Sequence, residues 1–269
     1  MDKINLTATN SSDNNMFIHF RDKTPSELYN VVHVMVGSPL ISVITPIHTT
    51  NHKIPQIRKA LSSATGPTQL IVVINNPKLA NHIVPQGSNE LVVVAPRKGR
   101  GFAFLQGIAN ITGTTTMLLH SDTIPPIGWD QAILTALEDP QVVGGGFSMT
   151  YDTPKPYLDL GTWMINQWIR ISGELYGDRA MFVRSHILKR CLSVLEVPLF
   201  EDVRLAQCMR KYGKVVLLKE KVVTSAENYR KHGLMGYTGK FLLCRIWYAL
   251  GGSPFQIYNA YYSSRKLER

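Results

Sequence analysis

Short apolar runs alternate with amphipathic segments over the first half of the chain. Four runs rich in β-branched residues each end at a proline or a polar turn, and they cover residues 40–46, 69–74, 90–95 and 115–119. Such runs are typical of buried parallel strands. Helical spacing occurs at about 54–63 and 101–110. This order predicts a Rossmann-like sheet that binds ligands outside the carboxyl ends of its strands.

The second half has a less regular pattern. It predicts helices at 127–137, 157–171 and 200–212, and strands at 142–151, 179–183 and 215–218. The expected fold class is therefore α/β, a single domain with a mostly parallel central sheet flanked by helices.

Residues 1–37 are expected to be a lead-in to this domain. The polar, low-complexity stretch 7–15 favours mobility, and residues 26–36 could form a short helix. The first residues lack the basic-then-apolar order of a signal peptide, and the apolar stretch 241–250 is too short to span a bilayer. We therefore expect a cytoplasmic protein.

The spacing of the cysteines also bears on the expected cytoplasmic location. Cys191, Cys208 and Cys244 lie far apart in the sequence and form no C-x-x-C pair. Their spacing indicates neither a disulfide framework nor a zinc site, and it suits a reducing cytosol.

The net charge of +10 is concentrated near the C-terminus, where the last 41 residues contain seven Lys/Arg and one acid. A basic, aromatic segment can meet phosphate on a nucleotide, a lipid or a nucleic acid, or it can be a solvated helix face. Residues 234–262 could lie on an anionic membrane surface. A helix packed on the domain with its basic face outward is the simpler interpretation. No RNP-type, zinc-finger or helix-turn-helix signal favours nucleic acid as a partner.

Two acidic points could contribute to chemistry. Asp122 follows an apolar strand, where a carboxylate can hold a divalent cation that neutralises a diphosphate, or can merely cap the turn. Glu201 and Asp202 begin a predicted helix, where the helix dipole favours the anion. A carboxylate aimed into a cleft there can be a general base, although a helix cap is the commoner role.

Three further segments are weaker candidates. The loop 96–101 combines glycines with cations before a helix, as phosphate-binding loops do, but it has neither the ATPase P-loop order nor G-x-G-x-x-G. Residues 176–179 contain a Gly-Asp turn, and residues 229–233 form a basic stretch with a histidine. Each of these can also be an ordinary surface loop.

Taken in order, the five points resemble the family 2 glycosyltransferases of the GT-A fold, over roughly residues 39–261. The similarity is greatest to a bacterial subgroup with a G-R-G-like loop, a His-Ala-Asp-Thr strand end, a Gly-Asp-Gln turn, a Met-Glu-Asp-Val helix start and a Thr-Ser-Ala-Arg-Arg segment. The corresponding residues here are Gly99-Arg100-Gly101, His120-Ser121-Asp122-Thr123, Gly177-Asp178-Arg179, Phe200-Glu201-Asp202-Val203 and Thr224-Ser225-Ala226-Glu227-Asn228.

The resemblance implies an inverting transfer of a sugar from a nucleotide-sugar donor to an acceptor hydroxyl. Asp202, with Glu201, would be catalytic, and a Mg²⁺ or Mn²⁺ ion would bind at Asp122 and His232. Donor contacts would come from Thr45, Pro46, Asn75, Arg100, Gly101, Ser121, Asp122, Arg230 and Lys231, and acceptor contacts from Gly177, Asp178 and Arg179. The acceptor is unknown and could be lipid-linked.

The resemblance also implies boundaries, with the glycosyltransferase domain at 38–233, its nucleotide half at about 38–123, its acceptor half at about 124–233, and a basic helical segment at 234–269. Several positions depart from the family pattern, among them His120 for the first acid of Asp-x-Asp, Asn75 for an aspartate, and Arg179 for glutamine. A non-catalytic nucleotide- or sugar-binding module on the same fold is therefore the alternative.

Overall fold

The computed structural model describes residues 7–10, 16–19, 40–49, 52–76, 78–79 and 83–263. Two short strands of the lead-in, β1 (Thr7–Asn10) and β2 (Met16–His19), pair antiparallel. Part of the polar stretch that favoured mobility is thus extended and paired. The helix expected at 26–36 lies outside the described residues.

Eight further strands form one sheet. They are β3 (Ile41–Ile47), β4 (Thr68–Ile74), β5 (Glu90–Val94), β6 (Thr115–Leu118), β7 (Thr123–Ile124), β8 (Val142–Tyr151), β9 (Met181–Arg184) and β10 (Lys214–Thr224). Their order is β5-β4-β3-β6-β9-β8-β10-β7. The pairs β5–β4, β4–β3, β3–β6 and β8–β10 are parallel, whereas β9 and β7 pair antiparallel. The predicted mostly parallel α/β sheet is confirmed.

Helices cover both faces of the sheet. They are α1 (Ile54–Leu61), α2 (Arg100–Ile108), α3 (Trp129–Ala136), α4 (Pro156–Ser172), α5 (Ser185–Arg190), α6 (Glu201–Met209), α7 (Glu227–Ala249) and α8 (Pro254–Ser263). Alternate residues of β3 divide the core, since Val43 packs with α1 and α3 while Ile44 packs with α2, α5 and α6. The apolar runs that form β3, β4 and β6 are therefore buried on both sides, as central parallel strands usually are, whereas β5 at the edge is only half-buried.

Some element boundaries differ from the prediction. β10 extends beyond the predicted 215–218 in both directions. The prediction ended at 218 because residues 219–221 are charged, and the pairing with β8 changes register at the same place, between Leu218 and Lys221. Residues 177–179 form a 3-10 turn, and the following strand begins at Met181. Neither β7 nor α5 was predicted.

The cysteine prediction was wrong. Cys191 and Cys208 form a disulfide, and their Cα atoms are 6.0 Å apart, an ordinary separation for a disulfide. Cys191 follows α5, Cys208 lies in α6, and both are buried. A separation of 17 residues along the chain did not reveal this pair, because packing of α6 against the end of α5 brings the two thiols together. Cys244 is a free thiol.

The C-terminal segment packs on the start of α6. Phe200, Val203 and Ile257 share a small apolar cluster that Tyr248 also contacts. The predicted boundary between residues 233 and 234 falls at a break inside α7, where Gly233 has φ 69° and ψ 166°. No helix in the described part of the chain combines the length and apolarity needed to cross a membrane.

The simpler interpretation of this segment was right about its packing on the domain, but the cations of its helix do not face outward. The Lys240 ammonium donates to the Tyr261 carbonyl at 2.9 Å, and the Arg245 guanidinium donates to Glu174 at 2.8 Å. Both cations are therefore turned toward the protein, and apolar side chains of the same helix, including Leu243, are exposed instead.

Candidate active site

Several polar residues end up at one edge of the sheet. The parallel strands β4, β6, β8 and β10 all end there, and β9, which runs antiparallel to β6, starts there. Residues at or within four positions of these strand ends are Asn75, Asp122, Asp152, Asp178 and Thr224. Ligands of such sheets bind outside this edge, so the topology places the candidate residues where a ligand site is expected.

Asp202 lies in the first turn of α6, where the positive end of the helix dipole favours an anion. The backbone N–H of Gly177 donates to its Oδ2 at 2.7 Å, and the N–H of Val203 donates to its Oδ1 at 2.8 Å. The side chain is partly exposed. Both carboxylate oxygens are thus oriented by backbone groups while the carboxylate remains accessible.

Glu201 differs sharply from its neighbour. Its side chain is 1% exposed, and Oε1 lies 2.8 Å from the Nε atom of Arg100. Burial raises the pKa of the Glu201 carboxyl to about 7, the Arg100 charge opposes this rise, and the Asp202 charge adds to it. Glu201, predicted as catalytic, is thus a buried partner of Arg100, whose own side chain is 31% exposed.

The glycines around Arg100 allow this ion pair to form. Gly99 has φ 121°, a conformation that side-chain-bearing residues rarely adopt. A Cβ on Gly101 would collide with the carbonyl oxygens of Leu195 and Val197. Asn75, predicted to contact the nucleotide base, donates from Nδ2 to the carbonyl of Gly99 at 2.9 Å. These three residues fix the backbone of the loop that presents Arg100.

Gly177 brings His120 and Asp202 together. A Cβ at position 177 would lie 2.5 Å from the Nε2 atom of His120 and 3.2 Å from Oδ2 of Asp202. Burial, followed by the charge of Arg100, lowers the pKa of His120 well below its ordinary value, so the ring is neutral. The close packing here therefore depends on glycine.

Two strained backbone positions flank these residues. Ala180 has φ 45° and Phe200 has φ 64°, both in the left-handed region. For residues with a side chain this conformation costs about 1–2 kcal/mol, and such strain persists where the surrounding structure holds it, commonly at functional sites. Stacking of Phe200 on Tyr248, with ring centroids 4.5 Å apart, contributes to holding it.

Asp122 lies between β6 and β7. The hydroxyl of Thr123 donates to its Oδ1 at 3.3 Å, and the N–H of Ser225 donates to its backbone carbonyl at 3.3 Å. Burial raises the pKa of Asp122, while hydrogen bonds from its own backbone N–H and from the Thr123 hydroxyl, together with the charge of Lys53, partly offset the rise. The hydroxyls of Thr123 and Thr224 are 2.9 Å apart, which fixes the Asp122 turn to the end of β10.

Asp178 is affected by both of the other acids. Burial raises its pKa, the Arg179 charge opposes this, and the charges of Asp202 and Asp122 raise it further. Its Oδ1 is buried and has no hydrogen-bond donor within the described residues, although the whole side chain is 35% exposed. The Asp178 carboxyl thus lies within electrostatic range of both Asp122 and Asp202.

Other predicted site residues lie below the surface. Arg179, predicted on the acceptor side, is 1% exposed and donates from Nη1 to Oδ1 of Asn166 in α4. Thr45 and Pro46 are buried within β3, whereas His48 and Thr49 just beyond them are exposed. Ser121 is buried and its carbonyl accepts from the N–H of Lys53 at 2.7 Å.

The basic stretch after β10 is anchored by Asp152, a residue that the sequence analysis missed. Asp152 accepts from the N–H of Ala226 at 2.9 Å, from Lys53 at 3.1 Å and from Arg230 at 3.4 Å. Arg230 and Lys231 remain mostly exposed. Asp152 comes just after the predicted strand 142–151, as Asp122 comes shortly after the predicted strand 115–119. This position at a strand end could have identified Asp152 as a candidate site residue. The His232 side chain lies outside the described residues.

A cation site at Asp122 would need ligands from a bound substrate. Among the described residues, no three His, Cys, Asp or Glu side chains are grouped to hold a metal ion. Mg²⁺ is usually bound through one or two carboxylates together with substrate phosphates. Asp122, at the turn before β7, could supply one such carboxylate.

Comparison with known proteins identifies the architecture. No family model and no curated protein sequence matches the chain. A structure of TarS from S. aureus aligns with 72% of this chain, and the alignment covers 38% of the TarS chain, with a TM-score of 0.51 and 14% identity. The chain has the GT-A fold. Structures of TarS residues 1–349, alone and with UDP-GlcNAc, give TM-scores of 0.48 at 15% identity. The chain spans 38 to 60% of the length of these TarS chains.

Proposed function

We propose that the chain is a glycosyltransferase that moves a sugar from a nucleotide-sugar donor to an acceptor hydroxyl. The observation that carries the proposal is the placement of Asp202. Its carboxylate is fixed by two backbone N–H groups at the start of α6, and it lies with Asp178 and Asp122 at the edge of the sheet where ligands bind.

Asp202 would act as the general base of an inverting transfer. It takes the proton of the acceptor hydroxyl as that oxygen bonds to the anomeric carbon of the donor. The bond from this carbon to the diphosphate breaks, and its electron pair leaves with the diphosphate. Attack from the opposite side inverts the configuration.

The leaving diphosphate would be held by cations. Arg230 is exposed beside Asp152, which anchors the start of α7 near the sheet edge, and Lys231 is exposed beside Glu227. Asp122 would hold Mg²⁺ or Mn²⁺ together with diphosphate oxygens. Such an ion neutralises charge that develops on the leaving group.

A donor screen tests this proposal. TarS has been crystallised with UDP and with UDP-GlcNAc, so UDP-sugars come first in the panel, followed by other nucleotide-sugars, each assayed with Mg²⁺, Mn²⁺ or EDTA. We expect metal-dependent release of nucleoside diphosphate. Asp202→Asn should lower kcat by about 10²–10⁴-fold, because loss of a general base typically costs that much.

A matched control separates chemistry from folding. Asp139 is an exposed acid whose partner is Lys214, and Asp139→Asn should leave turnover unchanged. Full activity in Asp202→Asn would remove Asp202 as the base. Nucleoside diphosphate binding by thermal shift, without turnover of any donor, would favour the non-catalytic binding module instead.

A further inference from the structure

The long helix α4 presents its apolar side to solvent. Its buried side includes the polar residues Thr162 and Asn166, and Asn166 accepts from the buried Arg179. Its outer side has five large apolar residues that are 54 to 83% exposed: Leu160, Trp163, Met164, Trp168 and Ile171. Surface helices normally have the opposite arrangement, so this face is built to contact something other than water.

The second half of α7 has the same inverted arrangement. Lys240 and Arg245 are its charged residues after position 233, and both are paired toward the protein. Its outer side has apolar residues that are 41 to 82% exposed: Leu242, Leu243, Ile246, Trp247 and Leu250. This half of the helix therefore has apolar side chains outward and its charges inward.

The two helices meet at one corner of the molecule. Glu174, two residues after α4, pairs with Arg245 of α7 at 2.8 Å. The ring of Tyr176 also packs edge-on against Phe241, with centroids 6.2 Å apart. The end of one exposed apolar face is thus joined to the middle of the other. We call the ten exposed residues of α4 and α7 named above the apolar face.

We propose that the apolar face docks the protein on the surface of an anionic lipid bilayer. Residues 153–174 and 227–269 contain nine Lys/Arg and four Asp/Glu. Lys240 and Arg245 are paired inward, whereas Lys155, Arg170 and Lys231 are exposed and can face a charged surface. This charge attracts anionic headgroups, at about 1 kcal/mol per cation near the surface. The same positive charge would repel a second copy of these segments, which argues against a homodimer through this face. Tryptophans at the boundary between apolar and polar groups are typical of interfacial helices.

Docking would bring the candidate site close to the bilayer. Tyr248 of α7 stacks on Phe200, which directly precedes Glu201 and Asp202. An acceptor hydroxyl carried by a lipid would then reach Asp202 from the membrane side. This last step rests on the proposed function, whereas docking itself does not.

Tryptophan fluorescence and vesicle flotation of the full chain test the docking. Of the four tryptophans, Trp129 is fully buried and the other three lie on the apolar face. With phosphatidylcholine vesicles containing phosphatidylglycerol, we expect co-flotation, a blue shift and quenching by brominated acyl chains. Trp163→Phe with Trp168→Phe leaves Trp247 as the reporter for α7, and Trp247→Phe leaves the α4 pair.

Charge-neutral variants locate the contact. Trp163→Gln with Trp168→Gln, and separately Leu243→Gln with Trp247→Gln, should each lower vesicle affinity at least about tenfold. Ile127→Gln with Val84→Gln is the matched control, since both side chains are exposed apolar residues outside the apolar face, and it should float like the wild type. Circular dichroism confirms that each variant is folded.

Three outcomes would overturn the docking proposal. They are no flotation with anionic vesicles, flotation that the control variant weakens as much as the apolar-face variants do, and a homodimer in light scattering that the apolar-face variants dissociate. None of these measurements requires a nucleotide-sugar donor. A failure of the docking proposal can therefore be distinguished from a failure of the proposed sugar transfer.

Discussion

The backbone N–H of Gly177 and the carboxylate of Asp202 are joined by a hydrogen bond of 2.7 Å. The two residues are 25 positions apart, and they meet because the 3-10 turn at 177–179 faces the first turn of α6. The candidate base is therefore oriented by a backbone group, which a side-chain substitution at 177 can move but not remove.

Gly177→Ala should displace this contact. The new Cβ would lie 2.5 Å from His120 Nε2, and relief of that overlap should cost about 1–3 kcal/mol of unfolding free energy. We expect a lower thermal midpoint and a fall in kcat larger than any change in KM for the donor. Gly161→Ala is the control, because nothing lies within 4 Å of its Cβ, and alanine in a helix should stabilise by up to about 1 kcal/mol. Equal behaviour of the two variants would contradict the packing argument.

Glu201 should make stability depend on pH. Its pKa rises from 4.5 to about 7 in the folded protein, so between these values the native state keeps a proton that the unfolded state has lost. The contribution of Glu201 to stability should therefore be fully present below pH 4.5 and decline as pH rises toward 7, with a slope of at most about 1.4 kcal/mol per unit.

Urea unfolding of wild type and Glu201→Gln between pH 4.5 and 7.5 measures this effect. Burial also raises the pKa of Asp122 and Asp178, so only the difference between the two proteins isolates Glu201. As pH rises from 4.5 to 7.5, the unfolding free energy of wild type should fall relative to that of Glu201→Gln. A difference that stays constant across the range would show that Glu201 remains ionised throughout.

The disulfide should contribute measurably to stability. Closing a loop of this length stabilises a protein by about 3 kcal/mol in the chain-entropy view. Wild type should therefore melt at a lower temperature with a phosphine reductant, and Cys191→Ala with Cys208→Ala should lose this response. Cys244→Ala should keep it, since Cys244 is outside the bond. A wild-type melting point that ignores the reductant would contradict the expectation.

Local sequence patterns predicted the central strands of the sheet well because these strands are buried on both faces. Residues 70–74 are all apolar, so β4 was found almost to the residue. β7 has only two residues, Thr123 and Ile124, and forms only because β10 lies beside it. Pairing of this kind is a property of the tertiary structure and leaves no periodic signal in the sequence.

The candidate site was predictable in part, because some of its residues lie at the ends of elements that local sequence patterns identify. Asp122 and Asp202 stand at a strand end and a helix start, which sequence marks clearly. The inward turn of Arg179 was not predictable, because it depends on Asn166, a residue that faces the core from α4. Amphipathic spacing identified α4 as a helix, but spacing alone does not show that its polar residues Thr162 and Asn166 face the core.

The strand β7 also limits how the protein can move. Its two residues follow Asp122 at once and pair with β10, so the chain that leaves the first half is fastened to the far edge of the sheet. A hinge motion between the two halves would therefore have to break the pairs Thr123–Thr224 and Ile124–Val223. The turn that carries Asp122 is thus tied directly to the last residues of β10, and the two cannot separate while these pairs hold.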